Sequence, residues 1–215
     1  MWFLDVKPTT TPLPLNCKLL ADEGLPLKDP TVYKTCIGKL NFLSNTRPDI
    51  SFAVQTLSQF MQHPTSSHLA ALHHLLRYIS GTSGQGILLK GLDQLQLTAY
   101  SNSDWASCPM SRRSVIGYVV PLNHSPISWK FKKHSTVTRS SAEAEYRAMA
   151  YAAAEITWLV GLLKELGVTH LQPVTLHCDN QSALHIAGNP VFHEMIKHID
   201  IDCHFTREKV VKGLI

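Results

Sequence analysis

LQLTAYSNSD, residues 95–104, is the stretch on which the fold turns. Leu95, Leu97 and Ala99 alternate with other residues, the period-two pattern of a strand with one buried face. Asn102 and Asp104 fall two apart at its end, so they share a face. Two more β-rich runs follow, VIGYVVPL (115–122) and ISWKFKK (127–133), separated by the short turn NHSP. Short turns between consecutive strands favour an antiparallel meander.

A long helix comes next. Ser140 with Glu143 three residues later forms a capping box ahead of an apolar run. Ala142, Tyr146, Met149, Ala153, Ile156, Val160 and Leu163 make its buried stripe, and Gly167 closes it. VTLHCD (174–179) then reads as a strand, parallel to the sheet by a right-handed crossover. The helices SALHIAG and HIDIDCHFTREKVV complete the chain, the last with the stripe Ile196, Ile199, Cys203, Val210. The fold class is α/β: three antiparallel strands plus one parallel strand, flanked by helices.

Upstream, Pro8, Pro12, Pro14, Pro26 and Pro30 forbid a continuous helix, so the first 30 residues are an extended lead-in. Three short helices follow: YKTCIGKLNFL after Asp29 and Pro30, ISFAVQTLSQFM after Pro48, and SSHLAALHHLLRYI ended by Gly81. The third carries the stripe Leu69, Leu72, Leu76, Ile79. Helical period gives way to strand period near residue 92, which divides the chain into a helical region, 1–91, and a sheet domain, 92–215.

Composition bounds the class. At 215 residues with 44% hydrophobic and 17% charged, the chain can bury a substantial core. A formal charge of +4 permits nucleic-acid contact without demanding it. Cys17, Cys36, Cys108, Cys178 and Cys203 are odd in number, widely separated and hold no C-x-x-C pair, which argues against a zinc site or a disulfide framework and for a reducing compartment. No signal peptide and no run of 18 apolar residues is present, so a cytoplasmic or nuclear location is expected, with no membrane partner.

Four segments carry the chemistry: YSNSDW (100–105), SSAEAEYRA (140–148), HCDNQSA (177–183) and KHIDID (197–202). Asn102, Asp104 and Asp179 lie at strand ends, where α/β sheets gather their sites. Glu145 sits in the first turn of the long helix, and Asp200 flanks the stripe of the last. A cluster of carboxylates without thiols or a His triad suits hard cations, Mg²⁺ or Mn²⁺. Two such ions ~3.5–4 Å apart can activate water and stabilise a leaving oxygen in phosphodiester hydrolysis. Each residue also has a plainer role open to it. Glu143 fits as the capping-box residue, Asp104 as a turn residue, Asp179 as a helix cap, and Asp200 and Asp202 as a solvated helix face.

These segments, with RRSVIGY, ISWKFKK and CDNQSALHIAGNPVFH, closely resemble the ribonuclease H domain of plant copia-type LTR retrotransposon polyproteins. Upstream, YKTCIGKLNFLSNTRPDISFAV, LSQFM and HLAALHHLLRYISGT resemble the region joining reverse transcriptase to that domain. The resemblance covers nearly the whole chain. It implies a ribonuclease H-like fold and an RNA–DNA hybrid endonuclease using two Mg²⁺ (or Mn²⁺) ions. The family's four acidic positions fall on Asn102, Glu145, Asp179 and Asp200, which are thus both the catalytic and the metal-ligand candidates. Glu145 rather than Glu143 matches the family's helix start, E-Y-R-A. A product-release histidine corresponds to His193, and Asp202 competes with Asp200 as fourth ligand. The polymerase's own two-aspartate box is expected upstream of Met1, making that upstream region a possible partner besides the hybrid itself.

Some positions depart from the family pattern. Asn102 stands in place of Asp, Ser107 of Gly, Met195 of Arg and Ile196 of Thr. Asp→Asn, Gly→Ser and Thr→Ile each follow from one C-to-T change on one strand, the decay of a methylated, silenced element. This is a hypothesis that matched CG-to-TG or CG-to-CA codons would support and their absence would remove. The sequence therefore expects a nuclease impaired at Asn102, with two competing readings: a non-catalytic module that binds hybrid or duplex, and an inactive relic.

Overall fold

The computed structural model describes residues 7–91, 95–188 and 199–215, and the chain divides into two units, Met1–Ile87 and Leu88–Ile215. In the first unit Asp29 Oδ1 accepts the Thr31 N–H at 2.9 Å as helix α1 (Thr31–Leu43) begins. A 3₁₀ turn at Pro48–Ile50 leads into α2 (Ser51–Ser58), and α3 spans Ser66–Gly81. Thr65 caps α3 reciprocally with His68, an imidazole in the role usually taken by Glu or Gln. Tyr33, Ile37, Ile50, Leu57, Leu72 and Leu75 are fully buried between these helices. The stripe expected on α3 is rotated. His68, Ala71, Leu72 and Leu75 are buried, while Leu69, Leu76 and Ile79 are only partly covered. The cap that ties His68 to Thr65 turns that edge inward.

The alternating stretch of the second unit forms β1 (Thr98–Asp104), with Ala99, Ser101 and Ser103 buried and Tyr100, Asn102 and Asp104 exposed. β2 (Val115–Leu122) and β3 (Ser125–Lys133) follow as the antiparallel meander, with Asn102 opposite Gly117. Helix α4 (Ser141–Glu165) crosses the sheet and returns the chain to β4 (Thr175–His177), which pairs parallel to β1. The order is β3-β2-β1-β4, the mixed sheet of a ribonuclease H-like fold. Helices α5 (Gln181–Gly188) and α6 (Asp200–Val211) pack with α4.

Helix α4 is held at both ends as its sequence dictates. Ser140 Oγ accepts the Glu143 N–H at 3.1 Å, while the Glu143 carboxylate reaches one residue further back than a capping box requires, to the Arg139 N–H. At the other end Gly167 adopts φ +85°, and the Gly167 and Val168 N–H groups bond Lys164 and Leu163 carbonyls in a Schellman motif. Ala152, Ile156, Leu159 and Val160 pack on Leu97, Ala99, Tyr118 and Val120 of the sheet. Tyr146 and Met149 pack on Ala183 and Ile186 of α5, on Ile199 just before α6 and on Cys203 within it. On α6 the expected stripe is corrected at one end: Val210 is exposed and Thr206 is buried in its stead. Thr206 and Val210 both lie within about 60° of Cys203 around the helix, so helical spacing alone does not choose between them. Ile196 lies outside the described residues. Among the described residues no helix is long and apolar enough to cross a membrane.

Candidate metal centre

β1 continues past the point where β4 ends, because β4 pairs only with Thr98, Ala99 and Tyr100. The Ser103 N–H therefore has no strand partner on that side. Glu145, reaching in from the first turn of α4, supplies one: its Oε1 accepts the Ser103 N–H at 2.9 Å. The side chain is 6% exposed, so this hydrogen bond fixes a buried carboxylate at the mouth of the β1–β4 crevice.

Just beyond β4, Cys178 and Asp179 reach the same place. His177 stacks on Tyr100 across the exposed face, centroids 4.8 Å apart. Strand alternation then turns Cys178 to the opposite face, where Sγ lies 3.9 Å from Glu145 Oε2. One donor atom each from Glu145, Cys178 and Asp179 lies within 4.8 Å of the other two. Burial pushes the Glu145 carboxyl above its ordinary range. The Ser103 N–H opposes this, and the nearby charges of Asp179 and Asp104 add to it. Burial likewise raises the Cys178 thiol.

The plainer role for Asp179 is filled by its neighbour. Asn180 Oδ1 accepts the Ala183 N–H at 2.9 Å and caps α5. Glu143 and Glu145 separate equally clearly. Glu143 pairs with Arg147 at 3.1 Å and with the Arg139 backbone, on the far side of the helix start. Of the residues singled out in the sequence, Glu145 and Asp179 are thus brought together. Asn102 adjoins them through the residue that follows it, with its side chain on the exposed face of β1. Asp200 does not join the group: its carboxylate lies 3.5 Å from His204 Nε2, one turn along α6. Asp202 is the more enclosed of the pair, its carboxyl raised by burial, with Arg147 lowering it and Glu143 raising it. His193 lies outside the described residues. Cys178 was missed by sequence reasoning. The signal was present, a thiol adjoining a candidate ligand, but its direction depends on strand register.

The chain is 48% identical over 212 residues, 99% of its length, to the retrovirus-related Pol polyprotein from transposon RE1 of Arabidopsis thaliana. It is 46% identical over 212 residues to that from transposon RE2 of the same plant, again covering 99% of this chain. With the corresponding polyprotein from transposon TNT 1-94 of Nicotiana tabacum it shares 35% over 215 residues, 96% of its length. It spans 14%, 15% and 16% of these relatives respectively. No family model and no solved structure matches.

Proposed function

We propose, from the premise that this chain belongs to the retrovirus-related Pol polyproteins of copia-type plant transposons, that its second unit is a ribonuclease H-family module. Its ancestral activity is endonucleolytic hydrolysis of RNA in RNA–DNA hybrids, impaired here by Asn102. The observation that carries the reading is the meeting of Glu145 with Asp179. They are far apart in sequence, on different elements, and their carboxylates converge within 4.8 Å at a sheet crevice. Neither is consumed by a capping role.

That donor set fits a divalent cation: like charges this close repel until one is bound. Mg²⁺ or Mn²⁺ would be held by Glu145 and Asp179 and would supply an activated water and charge on the leaving oxygen; the resemblance adds Asn102, on the exposed face of β1, and Asp200, which pairs with His204 outside the group. The chain's own contribution is positional. Ser103 fixes Glu145, and Asn180 fixes the turn that presents Asp179. Asn102 offers an amide oxygen without charge, a weaker ligand for a hard ion. Hydrolysis of a labelled hybrid in Mg²⁺ or Mn²⁺ tests the reading beside Asn102→Asp, which should raise cleavage roughly 100-fold. Robust cleavage by the unmodified chain, or none by the variant, would remove it.

The outward pairing of Asp200 with His204, together with Asn102, favours a second reading: a module that binds hybrid through its phosphates without cutting it. A gel shift whose affinity falls steeply with salt distinguishes this from an inactive relic.

A further inference from the structure

We propose that Cys178 is a ligand at this centre, and that the chain binds one thiophilic divalent cation, Zn²⁺ or Cd²⁺, through Cys178, Glu145 and Asp179. The proposal rests on the reading above only in treating the two carboxylates as ligands.

Cys178 Sγ lies 3.9 Å from Glu145 Oε2, and donor atoms of all three residues lie within 4.8 Å of one another. In a tetrahedral zinc site, Zn–S of about 2.3 Å and Zn–O of about 2.1 Å place neighbouring sulfur and oxygen about 3.6 Å apart. The thiol and the carboxylate need only a few tenths of an ångström to reach that spacing. Glu145 is held for it. Oε1 is fixed by the Ser103 backbone, the side chain is 6% exposed, and Oε2 is left facing the thiol. Cys178 is placed by the register of β4, whose preceding residue is locked on the opposite face by the Tyr100 stack.

The charge inventory points the same way. Two hard ions call for several carboxylates, and Asn102 removes one. A single thiophilic ion needs only the three donors already gathered, plus water in a fourth position. On binding, the Cys178 S–H bond breaks, the sulfur lone pair makes the S–metal bond and the proton leaves to solvent. Magnesium gains little from sulfur, so Cys178 gives the centre a preference that carboxylates alone would lack.

The test is a Cd²⁺ titration of the reduced full chain, followed by the ultraviolet charge-transfer absorption of the Cd–thiolate bond. One equivalent should saturate the signal in the unmodified chain. Cys178→Ser should abolish it, and Glu145→Gln or Asp179→Asn should weaken binding about tenfold or more. In parallel, Zn²⁺ should protect Cys178 of the unmodified chain from iodoacetamide, read by mass spectrometry. The half-buried Cys17 and Cys36 serve as references. An undiminished signal in Cys178→Ser, or alkylation of Cys178 that Zn²⁺ does not slow, would overturn the proposal and identify an adventitious ion only. Should Cys178→Ser fail to fold, the protection experiment decides alone. Hybrid cleavage is scored separately: its absence in Asn102→Asp sinks the nuclease reading and leaves Cd²⁺ binding untouched.

Discussion

Asp179→Asn should make the metal-free protein more stable. The Glu145 and Asp179 donor oxygens lie within 4.8 Å. At that separation two unit charges repel by about 0.9 kcal/mol in water and about 3.5 kcal/mol at an effective dielectric of 20. Asp179 is exposed, so the lower half of that range applies, about 1–2 kcal/mol. Against it stands the attraction of a carboxylate to the N-terminus of α5, about 0.3–1 kcal/mol. No cap is lost, since Asn180 supplies it. The net expectation is a gain of about 0.5–1.5 kcal/mol in urea denaturation with EDTA at low salt, shrinking as salt rises. Saturating divalent metal should erase or invert the gain, because the unmodified chain then has the tighter ligand. The same substitution should bring the raised Glu145 carboxyl partway back toward its ordinary value, visible by carboxyl NMR. A raised carboxyl favours the folded state at low pH and loses that contribution as pH rises through its folded value. The loss should therefore occur at lower pH and be smaller in the variant. An Asp179→Asn protein less stable than the unmodified chain in EDTA would refute the reasoning, since a structural bond to Asp179 would then outweigh the repulsion.

His134 is buried, and burial first, with Arg147 and Lys132 adding, pushes its imidazole down to about 4, while Glu143 opposes. Because the unfolded chain protonates His134 near its ordinary value, stability should fall from pH 6.5 to 4, and His134→Gln should blunt that fall in denaturation curves taken across the window. Ile156, fully buried between α4 and the sheet, should cost about 2–5 kcal/mol as Ala, by denaturant midpoint. Gly167→Ala forces a side chain onto a backbone at φ +85° and should destabilise by about 1–2 kcal/mol, with the loss read as a lower thermal midpoint.

The sequence by itself determined the elements and their order. Local physics suffices for that: alternation marked β1, Ser140 and Gly167 bounded α4, and the helix between two strands required a parallel crossover. It also brought Glu145 and Asp179 into consideration, since both fall at element ends. What it left open were choices between neighbours, because residues two or three apart obey the same local rules. Whether Asp179 or Asn180 caps α5 depends on the exact turn after β4. Whether Glu143 or Glu145 faces the sheet depends on the rotation of α4, set by Tyr146 and Met149 packing on α5 and α6. The rotation of α6, which encloses Asp202 and leaves Asp200 to its neighbour His204 one turn along the same helix, is likewise a packing outcome. Cys178 shows the limit most plainly. Nothing local says which way a residue just past a three-residue strand will point. Pairing with β1, and the stack of His177 on Tyr100, decide it, and the thiol thereby comes to lie beside a buried carboxylate.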